Sequence, residues 1–225
     1  MNAMHEGHRE RMRDRIAENG LDSLSDHEFL EYLLYFVQPR VNTNEPAHRL
    51  LNTYGSVSAV LESSVEDLVK VEGIGRKSAE FLTTVPKICS RYYLDKYRKF
   101  EALSIADVVE YVQVMFVGLR EEAAAVLYFD GNRSLILSKI ISKGNHREVV
   151  LKHKEIVLEA MQKNAPYVVL AHNHPSNNPQ PSASDFSHTE RLSALLDLAG
   201  CSLMDHIIIC PNGDYYSFAK ERRFR

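Results

Sequence analysis

The chain has 225 residues, 44% of them hydrophobic and 25% charged, which excludes a disordered or fibrous protein and allows one sizeable core plus a smaller module. Its 27 basic and 30 acidic side chains give a formal charge of −3, so a nucleic-acid site has to be a local patch.

Residues 1–99 read as helical. In HEFLEYLLYFV the apolar residues Phe29, Leu30, Leu33, Leu34 and Val37 repeat at the three-and-four spacing of an amphipathic helix, and Ser25 or Asp26 supplies its cap. PAHRLLNTYG follows, with Gly55 as a helix stop, then SVSAVLESS and SVEDLVKVEGIGRKSAEFLTTVPKICSRYY. After the charged stretch LDKYRKFEAL the texture changes over residues 100–225. AAAVLYFD, SLILSKIIS, YVVLAH, DHIIIC and YYSF read as strands, with DGNR and PNGD as hairpin turns. Helices over 105–117, 152–164 and 184–199 complete an α/β sandwich.

Cys89, Cys201 and Cys210 lack C-x-x-C spacing and are odd in number, which fits buried apolar thiols in a reducing compartment. The segment MNAMHEGHRERMRDR is charged from its start, and no apolar run approaches the roughly 18 residues of a membrane span. The expectation is a cytoplasmic chain with no signal peptide and no membrane partner; the sequence sets no oligomeric state.

Two stretches carry chemistry. In LVKVEGIGRKSAEFL, Gly73 and Gly75 bracket Ile74, the plug of a tight turn in which both glycines are free to adopt positive φ. Arg76, Lys77 and Ser78 open the next helix, where backbone N–H groups and basic side chains can meet a phosphate. The stretch resembles a helix-hairpin-helix motif, which implies sugar-phosphate contact through Gly73, Gly75, Arg76, Lys77 and Ser78. Against this stands an ordinary αα-hairpin, because residues 1–99 hold 14 Lys and Arg against 15 Asp and Glu.

The second stretch is LAHNHPSNNPQPSASD. Residues two apart on a strand share a face, so His172 and His174 aim together, and a proline-stiffened loop returns Asp185 at the start of a helix. The stripe of that helix runs Phe186, Thr189, Leu192, Leu196 and Ala199. Two imidazoles and a carboxylate leave a fourth position for water, the arrangement of a catalytic zinc. SASD is also a Ser-x-x-Asp capping box, which accounts for Ser182 and Asp185 without a metal.

His172, His174, Ser182 and Asp185 stand at the full spacing of the JAMM signature: His-x-His, seven residues, Ser, two residues, Asp. The order from the helical hairpin through this stretch to LMDHIIICPNGDYYSF resembles the RadC family of bacterial JAMM proteins. That resemblance implies an N-terminal all-α helix-hairpin-helix module followed by a JAMM/MPN-type, cytidine-deaminase-like α/β/α sandwich. It implies one Zn2+ on His172, His174 and Asp185, Glu122 at the head of the AVLYFD strand as general base and acid with Glu121 its neighbour, and Ser182 as oxyanion donor. Asn177 departs from the family's glycine after His-Pro-Ser, and Asn accepts the left-handed φ of that turn. His188 is a competing ligand only if its helix turns that face inward, and His206 has a supporting or packing role. His5, His8, His27, His48, His146 and His153 lack partner spacing and read as surface residues.

Three functions follow: a zinc-dependent metallopeptidase-type hydrolase acting on a protein or isopeptide bond, a DNA-processing nuclease or branched-DNA binder, and a noncatalytic DNA or protein scaffold.

Overall fold

A computed structural model describes residues 3–97, 100–102, 104–144 and 152–221. The chain forms two compact units, Met1–Cys89 and Ser90–Arg225.

The first unit contains α1 (Ala3–Asn19), a 3-10 turn (Leu21–Ser23), α2 (Asp26–Tyr35), α3 (Asn44–Tyr54), α4 (Val57–Leu61), α5 (Val65–Leu68) and the first part of α6 (Arg76–Lys96). Ser25 caps α2 in a capping box with Glu28, and Gly55 ends α3 in the left-handed region at φ 83°. The core joins Leu30 and Leu34 of α2 to Leu50 of α3, Ile74 of the hairpin turn and Leu82 of α6. Glu31 is buried on the same side of α2, accepting from Tyr35 Oη at 2.8 Å and Asn44 Nδ2 at 2.9 Å.

α6 continues through Lys96, so the start of LDKYRKFEAL is helix where the charge pattern suggests a connection. The reason is packing: Leu94 and Tyr97 lie against the core of the second unit, and Tyr97 Oη donates to Glu110 at 2.6 Å.

The second unit then runs α7 (Ile105–Phe116), β1 (Ala123–Phe129), β2 (Leu135–Lys143), α8 (His153–Gln162), β3 (Tyr167–Asn173), α9 (Ala183–Leu198), β4 (Ser202–Ile209) and β5 (Tyr215–Ser217). The sheet order is β2-β1-β3-β4-β5, with β3 and β4 parallel and the other pairs antiparallel. β1 is buried at every position because both faces are covered. Ala123, Ala125, Leu127 and Phe129 join Val169, Ala171 and α7 in one core. Ala124, Val126 and Tyr128 join Val168, Leu170, Ile156 of α8 and Leu192 and Leu196 of α9 in the other. The period-two alternation of β3 therefore assigns His172 to the α8–α9 face and Asn173 to the α7 face.

Three local expectations change. Cys201 and Cys210 are buried, but Cys89 is exposed on α6. His153 is buried, because the first turn of α8 lies under His188 of α9. Gly73 takes φ 89°, whereas Gly75 does not need positive φ: its carbonyl accepts from Ala79 N–H and opens α6. His146 lies outside the described residues, as does the His5 side chain.

Candidate metal centre

The centre gathers where β1 begins and β3 ends, an antiparallel pair in which Ala124 lies opposite His172. β3 delivers His172 at 4% exposure, and His174 follows after its backbone N–H bonds Ile209 O, extending the contact with β4 by one residue. The two Nε2 atoms lie 2.9 Å apart. Pro175 and the left-handed Asn177, at φ 57°, turn the chain away, so the asparagine serves where a glycine is usual. Asn177 Oδ1 also accepts from Asn212 N–H at 3.2 Å, tying this turn to the β4–β5 connection.

Ser182 caps α9, and Asp185 sits in its first turn at 3% exposure. Asp185 Oδ2 accepts from both the Ser182 N–H and its hydroxyl at 2.7 Å, while Oδ1 lies 3.6 Å from His172 Nε2. The capping-box and metal-site readings are thus compatible: one carboxylate oxygen serves the cap and the other faces the imidazole. The Ser182 hydroxyl proton is spent on Asp185 in this arrangement, so an oxyanion role requires it to turn.

Glu122 stands just ahead of β1, half-buried, with Oε1 3.6 Å from His174 Nε2. Its carbonyl accepts from Gly144 N–H at 2.6 Å. Asn173, a residue that sequence reasoning passed over, holds the same segment from the other side. Its Oδ1 accepts from Ala123 N–H at 2.7 Å and its Nδ2 donates to Glu121 O at 3.2 Å. The position between two same-face histidines is the only signal that could have found Asn173, since alternation sends it to the opposite face. Glu121 itself is exposed.

Among the described residues, Glu122, His172 and His174 form the group whose donor atoms all lie within 4.8 Å of one another. Asp185 joins it through His172 rather than by closeness to every member.

The donor set fits a metal ion. His174 Nδ1 contacts the Asn178 carbonyl at 2.7 Å, and a carbonyl can only accept, so Nδ1 carries the proton and Nε2 the electron pair. That electron pair points at His172 Nε2. About a tetrahedral ion with bonds near 2.0–2.1 Å, neighbouring ligand atoms stand about 3.3 Å apart. The observed 2.9 Å between the imidazoles and 3.6 Å from His172 Nε2 to Asp185 Oδ1 bracket that spacing. Two nearby carboxylates supply the negative charge that a divalent cation neutralises.

His206, on β4 at 1% exposure, lies 2.8 Å from His172 Nδ1 and stacks on Phe218 with ring centroids 4.7 Å apart. Its neighbour Asp205 is pushed upward in pKa by burial, against the bonds it accepts from Ser217 Oγ and the N–H groups of Ala219, His206 and Phe218. His188 lies 3.0 Å from Ser184 Oγ and packs edge-on against His153, and it is not one of the convergent group.

In the helical hairpin of the first unit the five residues named above divide between surface and interior. Ile74 is its buried plug, but Ser78 is also buried, and Gln38 Nε2 donates both to Gly73 O at 2.8 Å and to Ser78 Oγ at 2.9 Å. Arg76 pairs with Glu80 at 3.0 Å, and Lys77 is exposed. Gly73, Gly75 and Lys77 remain at the surface, while the Ser78 side chain is engaged inside.

This two-sided sheet domain, with two imidazoles and a glutamate gathered where β1 begins and β3 ends, matches the RadC-like JAB domain family over residues 102–223. Residues 4–80 match the UPF0758 N-terminal family. The chain belongs to the RadC-like JAB family in this two-part form. It is 34% identical to a UPF0758 protein of Fusobacterium nucleatum over 96% of both chains, and 34% identical to one of Carboxydothermus hydrogenoformans over 95% of both. A UPF0758 protein of Ruegeria pomeroyi is 31% identical over 90% of this chain and 91% of its own. No helix among the described residues is long and apolar enough to cross a membrane.

Proposed function

We propose that this protein is a zinc-dependent hydrolase of the JAMM metallopeptidase type that cleaves an amide or isopeptide bond in a protein substrate. His172 Nε2, His174 Nε2 and Asp185 Oδ1 would hold the ion. When bound, zinc acidifies a water and polarises the scissile carbonyl. The observation that carries the reading is Glu122, whose Oε1 lies 3.6 Å from His174 Nε2.

The two carboxylates divide the work by environment. Asp185 is 3% exposed at its side chain and held by the Ser182 cap, which suits a fixed ligand. Glu122 is 27% exposed at its side chain, which suits a group that meets water and moves a proton. Glu122 takes the proton of the attacking water and returns it to the leaving amine, while Ser182 turns its hydroxyl from Asp185 Oδ2 to the developing oxyanion. Three free cysteines suit a reducing cytoplasm.

The experiment pairs zinc analysis with a screen of isopeptide-linked proteins and branched DNA, on wild type, Glu122→Gln and His174→Ala. Glu122→Gln should retain zinc and lose about 100-fold or more in turnover on the isopeptide substrate, whereas His174→Ala should lose zinc. Full turnover by Glu122→Gln removes the assigned base. Cutting of branched DNA alone moves the substrate to nucleic acid, and zinc-free wild type on purification without chelator moves the protein to a scaffold.

A further inference from the structure

We infer that Asn177 is a positioning residue of the metal centre: by accepting the Asn212 N–H, its side chain docks the loop that joins His174 to Asp185 onto the β4–β5 turn. The inference rests on the metal-site reading above, and it concerns what holds the chain between two of the ligands.

The loop leaves β3 after Asn173 and enters α9 at Ala183. Pro175, Pro179 and Pro181 restrict its backbone, and its internal hydrogen bonds are local: Asn177 N–H donates to His174 O at 3.3 Å, and Gln180 N–H to Asn178 Oδ1 at 3.1 Å. Such bonds set the shape of the loop without fixing it to its surroundings. Among the described residues, the one hydrogen bond from 175–181 to another element is Asn177 Oδ1 accepting from Asn212 N–H at 3.2 Å.

The turn that supplies this donor is itself braced. Cys210 N–H donates to Asp214 O at 2.8 Å, Asn212 Nδ2 to Asp214 Oδ2 at 2.8 Å, and Asp214 N–H to Asn212 Oδ1 at 3.1 Å. Gln113 Nε2 of α7 also donates to Gly213 O at 3.3 Å. The tie prolongs the parallel β3–β4 contact: His174 N–H reaches Ile209 O at 2.8 Å, and three residues further on in each segment Asn177 meets Asn212. Next to it stands the Asn178 carbonyl, 2.7 Å from His174 Nδ1, so a docked loop keeps that carbonyl against the ligand imidazole.

The backbone points to the same side chain. Asn177 holds φ 57°, a conformation that glycine takes without strain and that a Cβ makes less favourable. An asparagine gives up that ease and brings the Oδ1 acceptor, which glycine lacks.

Asn177→Gly keeps the left-handed turn and removes the acceptor, whereas Asn177→Asp keeps both. Zinc affinity is measured by chelator competition. In metal-free protein, 15N relaxation reports the order of the Ser176, Asn177, Asn178 and Gln180 amides, and hydrogen exchange reports the Asn212 N–H. Asn177→Gly should weaken zinc binding about 2–10-fold, the worth of one net hydrogen bond, at an unchanged circular-dichroism spectrum. Its loop amides should lose order, and its Asn212 N–H should exchange faster by about the same factor. Asn177→Asp should bind zinc at least as tightly as wild type; its charge attracts the ion by itself, so wild-type loop order and Asn212 exchange are what decide for this variant.

Wild-type zinc affinity in Asn177→Gly overturns the positioning role. Equal Asn212 exchange in wild type and Asn177→Gly, or a loop as mobile in Asn177→Asp as in Asn177→Gly, overturns the docking. The hydrolase reading fails separately. If no substrate is cleaved while affinity, order and exchange respond as stated, the positioning role stands. If wild type binds no zinc, the metal-site reading fails, and loop order and Asn212 exchange in metal-free protein still decide whether Asn177 docks the loop.

Discussion

His153 lies in the first turn of α8 at 3% exposure, and neither ring nitrogen has a hydrogen-bond partner. Burial first, then His188 and Arg191 of α9, push its pKa down from 6.5 to about 4. The folded protein therefore keeps this ring neutral over a range in which the unfolded chain protonates it. Stability is complete above about pH 6.5 and declines as pH falls toward about 4, because the unfolded state then binds more protons. Between pH 7 and pH 5 the two pKa values correspond to at most about 2 kcal/mol, an upper bound because water near the helix end screens part of the penalty. The perturbation is His153→Leu, which retains an apolar side chain and cannot titrate. Urea unfolding followed by circular dichroism, with chelator present at both pH values, separates this effect from metal loss. Wild type should lose more than His153→Leu on going from pH 7 to pH 5, by up to about 2 kcal/mol. Equal losses in the two proteins would refute the reasoning.

Other outcomes follow from the same geometry. A Cβ at Gly73 would stand 2.6 Å from Pro46 Cγ in a backbone at φ 89°, so Gly73→Ala should destabilise by about 1–3 kcal/mol in urea titration. Gly75 has nothing within 4 Å of that position and no positive φ, so Gly75→Ala should be nearly neutral. Asn173→Ala leaves the Ala123 N–H without its buried acceptor, costing about 1–3 kcal/mol, and should lower turnover more than zinc affinity because Glu122 loses its support. Zinc at about 100 times its Kd should stabilise the folded protein by about 2.7 kcal/mol, a gain that thermal melts should show to be absent from His174→Ala.

The residues facing the candidate metal were legible because strand alternation and a helix-start motif are local properties. His172 and His174 share a face by period two, and Ser182 and Asp185 are joined by a three-residue capping box, so both halves appear as patterns in one stretch. Glu122 was reached only through the family resemblance, since nothing within REEAAAVLYFD ties it to a histidine some fifty positions later. Asn173 was passed over, because nothing in LAHNHP shows that its side chain meets the Ala123 N–H fifty residues earlier. His153 was misread because isolation in sequence says nothing about which helix lies above it. Ser78 was legible as a helix start but not as a buried acceptor, because Gln38, which engages it, is contributed by the chain before α3.

The amino-acid order alone determined the helical first part, the strand–helix alternation of the second, the turn glycine at Gly55, the positive φ at Gly73 and the capping box of Ser182 with Asp185. All of these arise from interactions within a few residues. Only the tertiary structure decided which carboxylate meets which imidazole, that Asn173 clamps the Glu122 segment, and that Asn177 meets the Asn212 N–H. Those contacts close between strands and helices distant in the chain. They exist because the antiparallel β1–β3 pair and the parallel β3–β4 pair place those elements side by side.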